Sequence, residues 1–158
     1  MTLARSSSSA SGKFIVLDAV DIWGTISPGP TRYDQTNTNI VKTGAWANYG
    51  STPSYGASYG RASTASASAT IWFTGTQLDW IGMKGTTTGM VDVWVDGVKK
   101  TTIDLTASTT TYQAMLYSTG TLSNGAHSVQ LVRSDSSAAG KFIVLDAVDI
   151  WGTMVAAS

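Results

Sequence analysis

Fourteen consecutive residues occur twice, letter for letter: Gly12 to Thr25 reads GKFIVLDAVDIWGT, and Gly140 to Thr153, 128 positions later, reads the same. Weaker identity runs back through Arg5 and Arg133 to Leu3 and Leu131. A chain that repeats one apolar strand at both ends, with nothing repeated between, resembles one period of a tandem array that opens with the closing strand of the module before it. Phe14, Ile15, Val16, Leu17, Val20, Ile22 and Trp23 are too apolar to lie in water. At ~25 cal/mol per Å² their burial is worth on the order of 10 kcal/mol before entropy. Two identical strands cannot fill one slot. Residues 1–25, the duplicate of 129–153, are therefore read in two ways. They are the end of a preceding repeat, or they are an exchange strand that lies on a free edge or enters a neighbouring chain. The second reading implies a homo-oligomer or head-to-tail filament through Phe14–Trp23.

The rest of the chain has almost no helical period. Strand signals recur between Gly, Ser, Thr and Asn turns, the pattern of an all-β sandwich. Pro28-Gly29-Pro30 cannot sit inside a ladder, so 26–32 reads as a linker and 33–158 as the folded module. Strands are expected around Tyr33–Gln35 and Ile40–Trp46, with a Gly/Ser/Tyr-rich loop region over 49–66. Ala67, Ala69, Ile71 and Phe73 alternate with Ser68, Thr70, Trp72 and Thr74, which places the first set in the core. Leu78–Met83 reads as a short strand. Val91, Val93 and Val95 alternate with Asp92 and Trp94, and Asp96-Gly97 turns the chain tightly toward Ile103. Tyr112–Tyr117, His127–Arg133 and Phe142–Trp151 complete about eight or nine strands, a jelly-roll number.

Composition narrows the function. Charged residues make up 13% of the chain, against a usual ~25%, and ten Lys and Arg balance ten acidic residues. The basic residues are scattered, so no phosphate-binding stripe exists and nucleic acid is excluded as a partner. There is no cysteine and hence no disulfide framework or thiolate chemistry. No apolar run approaches the ~20 residues of a membrane span. Residues 1–11 lack the apolar core of a signal peptide, so an exported protein would carry its signal outside this chain. All ten acidic residues are aspartates, and the one histidine, His127, follows an Asn-Gly turn. No opposed carboxylate pair or histidine-centred triad can be built from these, so the chain reads as non-catalytic.

The central text is more specific. FTGTQLDWIG (73–82), GMVDVWVDGVKKTTIDL (89–105), LSNGAHSVQLVR (122–133) and KFIVLDAVDIWG (141–152) resemble the galactose-binding-like jelly-roll modules of bacterial secreted and cell-surface proteins. Tyr33-Asp34 followed by Gly44-Ala45-Trp46 resembles that family's opening. The resemblance implies a two-sheet antiparallel β-sandwich, a place in a tandem array outside the cell or at its surface, and binding of a poly- or oligosaccharide. It also implies no required cofactor beyond a structural calcium, with Asp34 and Asp146 as ligands.

Sugars offer C–H faces to flat aromatic rings and hydroxyls to polar side chains, so a sugar site needs exposed aromatics flanked by polar groups. Tyr49, Tyr55 and Tyr59, with Asn48 and Arg61, are expected to form the mouth of such a site. Trp94, out of phase with the core valines, is expected as an outward ring. Trp72 shares that phase, although covering a sheet edge would explain it equally. Trp46 and Trp80 are expected in the core. The alternative function is a structural repeat or adhesin subunit linked through the duplicated strand.

Overall fold

The structure, a computed structural model, describes residues 28–157. The strand expected at Phe14–Trp23 lies outside them. The architecture is an all-β sandwich of an eight-stranded and a three-stranded sheet with antiparallel pairing between strands, the larger sheet organised by two long strands paired with each other. β5 (Ser68–Lys84) runs for 17 residues. Its first half pairs with β9 (Gly125–Arg133), from Ser68 opposite Val132 to Gly75 opposite Gly125. β6 (Met90–Val95) and β7 (Val98–Asp104) extend this layer outward, and the short β2 (Val41–Thr43) flanks the start of β5. The second half of β5 pairs instead with β8 (Thr111–Ser118). β11 (Ala147–Val155) follows β5 along both halves, and β1 (Thr31–Asp34) covers the outer edge of its first half.

β5 and β11 stay paired from Trp72 opposite Val155 to Ile81 opposite Ala147. The register between them slips at Trp151/Gly152, a β-bulge. Gly75 faces that bulge, where a Cβ would fall on the Trp151 carbonyl oxygen; Gly152, at φ +150°, would place one on the Thr74 carbonyl oxygen. Glycine is thus required at both positions by close backbone approach. The inward side chains of β5 accordingly change from Ala69, Ile71 and Phe73 before the bulge to Leu78 and Trp80 after it, all 0% exposed. Leu78–Met83 is therefore not a separate short strand but the second half of β5.

Three other expectations shift. The 49–66 region is not a loop throughout: β3 (Ala47–Gly50) and β4 (Ser58–Ala62) pair there, with a 3-10 turn at Tyr55–Ala57 between them. The run Phe142–Trp151 is not one strand. It breaks at Asp146 into β10 (Ile143–Leu145), which pairs with β4, and β11, which pairs with β5 and β1. The linker expected at 26–32 overlaps β1, where Thr31 pairs with Ile150 and Arg32 with Asp149. At Asp96-Gly97 the turn matches expectation, both residues having positive φ, the geometry that lets a two-residue turn follow strand twist.

The core lies between the layers. Val91, Val93, Val129 and Leu131 join Leu145, Val148 and Ile150 within one buried cluster. Trp80 is fully enclosed in it and donates its indole N–H to the Val144 carbonyl at 3.2 Å, which removes the cost of burying that donor. Trp46 is only half-buried at the core margin, where its indole N–H is shared between the Thr43 and Ser68 carbonyls at 3.0 Å. Substituting Gly152→Ala should force the paired strands apart at the bulge and destabilise the fold by roughly 1–3 kcal/mol. A fall in the urea midpoint checks this, with Gly120→Ala, at an open positive-φ turn, as the milder comparison.

Candidate functional site

The residues expected as a sugar site and as a calcium site occupy three places. The tyrosines and Arg61 lie on or beside the small β3–β4–β10 sheet. Tyr49 and Tyr59 are directly opposed across β3 and β4, their ring centroids 6.0 Å apart and nearly parallel. Arg61 continues that face, its guanidinium carbon 3.5 Å from the Tyr49 centroid and 4.1 Å from that of Phe142. Cation–π contact of this kind is worth about 0.5–2 kcal/mol. It also occupies the groups a ligand would use. Tyr59 is 8% exposed and packs on Tyr112, so it offers no open ring face. Asn48, Tyr49 and Tyr55 remain exposed. Arg61 is a packing element as well as a charge, a role that only the position of Phe142 reveals.

Asp34 and Asp146 converge on the Tyr55–Gly56 backbone. Asp146 Oδ2 accepts the Tyr55 N–H at 3.2 Å, and Asp34 Oδ2 sits 2.5 Å from where a Cβ on Gly56 would lie. Asp34 Oδ1 accepts from the Thr36 N–H and hydroxyl at 2.8 and 2.6 Å. Asp146 is 1% exposed, and its Oδ1 is buried with no hydrogen-bond partner. Burial, with the Asp34 charge adding to it, raises the Asp146 carboxyl to about 6, against the opposing Tyr55 hydrogen bond and Arg32. Among the described residues no group of three or more His, Cys, Asp or Glu gathers to hold a metal. An orphaned buried carboxylate oxygen beside a second carboxylate nevertheless fits a hard cation whose further ligands are carbonyls or water.

Trp94 belongs to neither group and lies on the solvent face of β6. Cross-strand register puts Gln130 of β9 beside it and Thr70 of β5 beyond Gln130. One pleat repeat along, Trp72 of β5 stands opposite Ser128. Both tryptophans are half-buried. An open groove of about 270 Å³ lies at Trp94, lined also by Asp92, Gln130, Arg133 and Asp135. A second, of about 340 Å³, lies at Trp72, Ser128 and His127. Strand spacing of ~4.8 Å and rise of ~3.3 Å per residue set the two tryptophan backbones roughly 12 Å apart. The sequence leaves Trp72 ambiguous; its phase, the same as that of Trp94, is the signal that finds it.

The polar groups of this face are held in place. Burial works against the Asp92 carboxylate, but the Thr102 hydroxyl at 2.6 Å and Lys99 at 2.9 Å outweigh it and keep it below the usual carboxylate range. His127 bridges two turns, with Nε2 2.8 Å from the Ser123 carbonyl and Nδ1 2.8 Å from Asp96 Oδ2. A carbonyl only accepts, so Nε2 carries a proton. The carboxylate favours a second proton on Nδ1.

The comparisons with known proteins bear on the fold. No protein-family model matches the chain, and no curated protein matches it. Among solved structures, the CBM36-1 domain of a multidomain xylanase from the hindgut metagenome of Trinervitermes trinervoides matches over 82% of this chain and 98% of its own, with 14% identity and a TM-score of 0.52. A Paenibacillus xanthan lyase matches at a TM-score of 0.58 and 17% identity, over 82% of this chain and 13% of the lyase. An exo-β-1,3-galactanase from Phanerochaete chrysosporium matches at 0.57 and 16%, over 78% of this chain and 29% of that enzyme. The chain thus spans less than a third of the galactanase. At these identities the likeness establishes a shared jelly-roll sandwich. The enzymes match in part; the CBM36-1 domain matches nearly whole.

His127 makes a pH prediction. Its pKa is raised first by the Ser123 carbonyl and then by Asp96, against burial. A raised folded value means the stabilisation is complete below the ordinary ~6.5 and is lost as pH climbs through the folded value. The melting temperature of the native protein minus that of His127→Gln should therefore shrink as pH rises above the ordinary ~6.5. A constant difference would mean the ring does not titrate there.

Proposed function

We propose that the protein is a non-catalytic carbohydrate-binding module that acts outside the cell and grips an extended oligosaccharide on the outer face of β5, β9 and β6. The observation that carries this reading is the pair of half-buried tryptophans, Trp72 and Trp94, on one open face with Gln130, Ser128 and Thr70 between them. Aromatic rings stack on sugar C–H faces, while amide and hydroxyl groups between them take the hydroxyls. Their separation suits a chain of several sugar rings better than a single sugar. A jelly-roll shared with a CBM36-1 domain of a xylanase, and with segments of a xanthan lyase and a galactanase, supports the same class of ligand.

Loss of either ring should weaken binding about tenfold, corresponding to roughly 1.4 kcal/mol. Isothermal titration of Trp94→Ala and Trp72→Ala with whichever oligosaccharide a glycan array identifies checks this. Silence of the native protein across neutral and uronic polysaccharides would sink the reading. The exposure of Asn48, Tyr49 and Tyr55 favours a second reading, in which the β3 edge makes the contact. In that case Tyr49→Ala and Tyr55→Ala lose affinity and the tryptophan variants keep it.

A calcium ion at Asp34 and Asp146 belongs to this proposal as a structural element. It would neutralise the buried carboxylate and tie β1 and the Tyr55 turn to the junction of β10 and β11. Without it, Asp146 opposes folding at neutral pH. A folded value of about 6, above the ordinary one, means stability falls as pH rises from about 4 through 6. Asp146→Asn should hence stabilise the calcium-free protein at pH 7 by up to about 3 kcal/mol. Calcium should raise the melting temperature of the native chain at pH 7 more than at pH 5, and leave that of the variant unmoved.

A further inference from the structure

The segment Gly140–Thr153 contributes the most deeply enclosed run of side chains in the described residues. Ile143, Val144, Leu145, Ala147, Val148 and Ile150 are all 0% exposed. β10 pairs with β4, while β11 lies between β1 and β5, and Asp149 receives both Arg32 donors at 2.6 Å. Every one of these residues of the segment has an identical counterpart in Gly12–Thr25. The slot therefore cannot distinguish the two copies by side chain, and among the described residues there is one such slot.

We propose that this slot is an exchange site, and that residues 12–25 of the same chain can replace residues 140–153 in it. The connection permits it. β1 runs antiparallel to β11 with Thr31 opposite Ile150, and Pro28, Gly29 and Thr31 line the same groove as Trp151, Gly152 and Thr153. With the amino-terminal copy in place, Ile22 stands opposite Thr31, Asp21 opposite Arg32 and Val20 opposite Tyr33. With Trp23–Thr25 along β5 in place of Trp151–Thr153, residues 26–30 form the return to Thr31. Five residues reach ~17 Å, more than the roughly 11 Å set by three residues along the strand and one strand spacing across.

The residues after each copy decide which one prevails. Beyond Thr153 come Met154, 5% exposed, and Val155, which pair with Phe73 and Trp72. Beyond Thr25 come Ile26, Ser27 and Pro28, and the last has no N–H for a ladder. The carboxy-terminal copy is thus the resident, and the amino-terminal copy a competitor that differs only beyond the shared stretch. Exchange frees residues 140–158, which carry the same strand and fit the slot of a second copy of the chain. The exchange site rests on the fold and the duplication alone, and is independent of carbohydrate binding.

Removing residues 140–158 tests it. The shortened chain should still melt cooperatively, at a lower temperature, as a monomer by light scattering. Adding Val20→Asp to the shortened chain should abolish that transition, whereas Val20→Asp in the full chain should leave its melting temperature unchanged. In the full chain, Val148→Asp should lower the midpoint yet keep a cooperative transition, which the added Val20→Asp then removes. A shortened chain without a cooperative transition would overturn the proposal. So would one indifferent to Val20→Asp, and one folded only as an oligomer.

Discussion

The larger sheet depends on two long antiparallel strands, β5 and β11, that pair with each other along both halves of β5. Their register shifts at Trp151/Gly152, which is possible because their backbones nearly touch at Gly75 and Gly152. Any side chain there would separate them. A bulge of this kind bends the paired strands and increases their local twist. The consequence here is that the outer face of β5, β9 and β6 is rigidly coupled to the core beneath it. Trp72 sits on the same strand as Phe73, which the core holds, so its ring is presented on a fixed platform.

Polar groups inside the fold divide by whether they are satisfied. Arg133 is nearly buried, yet its guanidinium donates to the carbonyls of Ser137, Ala138 and Lys141, which shapes the turn before β10. Trp80 is likewise matched to a carbonyl. Asp146 has one oxygen paired and one orphaned, and the Ser54 hydroxyl and Arg61 Nε are buried without a partner as well. An unpaired buried carboxylate costs more than a surface one by far, which is why the Asp146 carboxyl, beside Asp34, is pushed above the ordinary range. The same junction is where β10 departs from β11. Electrostatics and strand routing thus meet at one residue.

The aromatic residues show how little a ring's identity says about its task. Trp80 fills the core, Trp46 caps its margin, Tyr59 is packed, and Tyr49 carries Arg61 against its ring while staying exposed. Trp72 and Trp94 project from a sheet face between polar neighbours. In the sequence, Trp94 and the tyrosines share the same exposed character and so group together. The fold places them on different sheets.

Period-two alternation determined the all-β class, the inward set from Ala69 to Phe73 and the valines of β6, because a pleated strand sends successive side chains to opposite faces. Asp96-Gly97 determined a hairpin, since few dipeptides tolerate two positive φ angles in succession. The duplicated segment was legible as a single apolar strand. Its break at Asp146, the continuity of β5 through Gly75, the hidden strands β3 and β4, and the position of Arg61 against Phe142 were not. Each of these depends on a partner strand remote in sequence or on close backbone approach between strands, and local pattern carries no record of either. Local chemistry chose strands and turns; which strands share a layer, and which rings face water, was decided by how they pack.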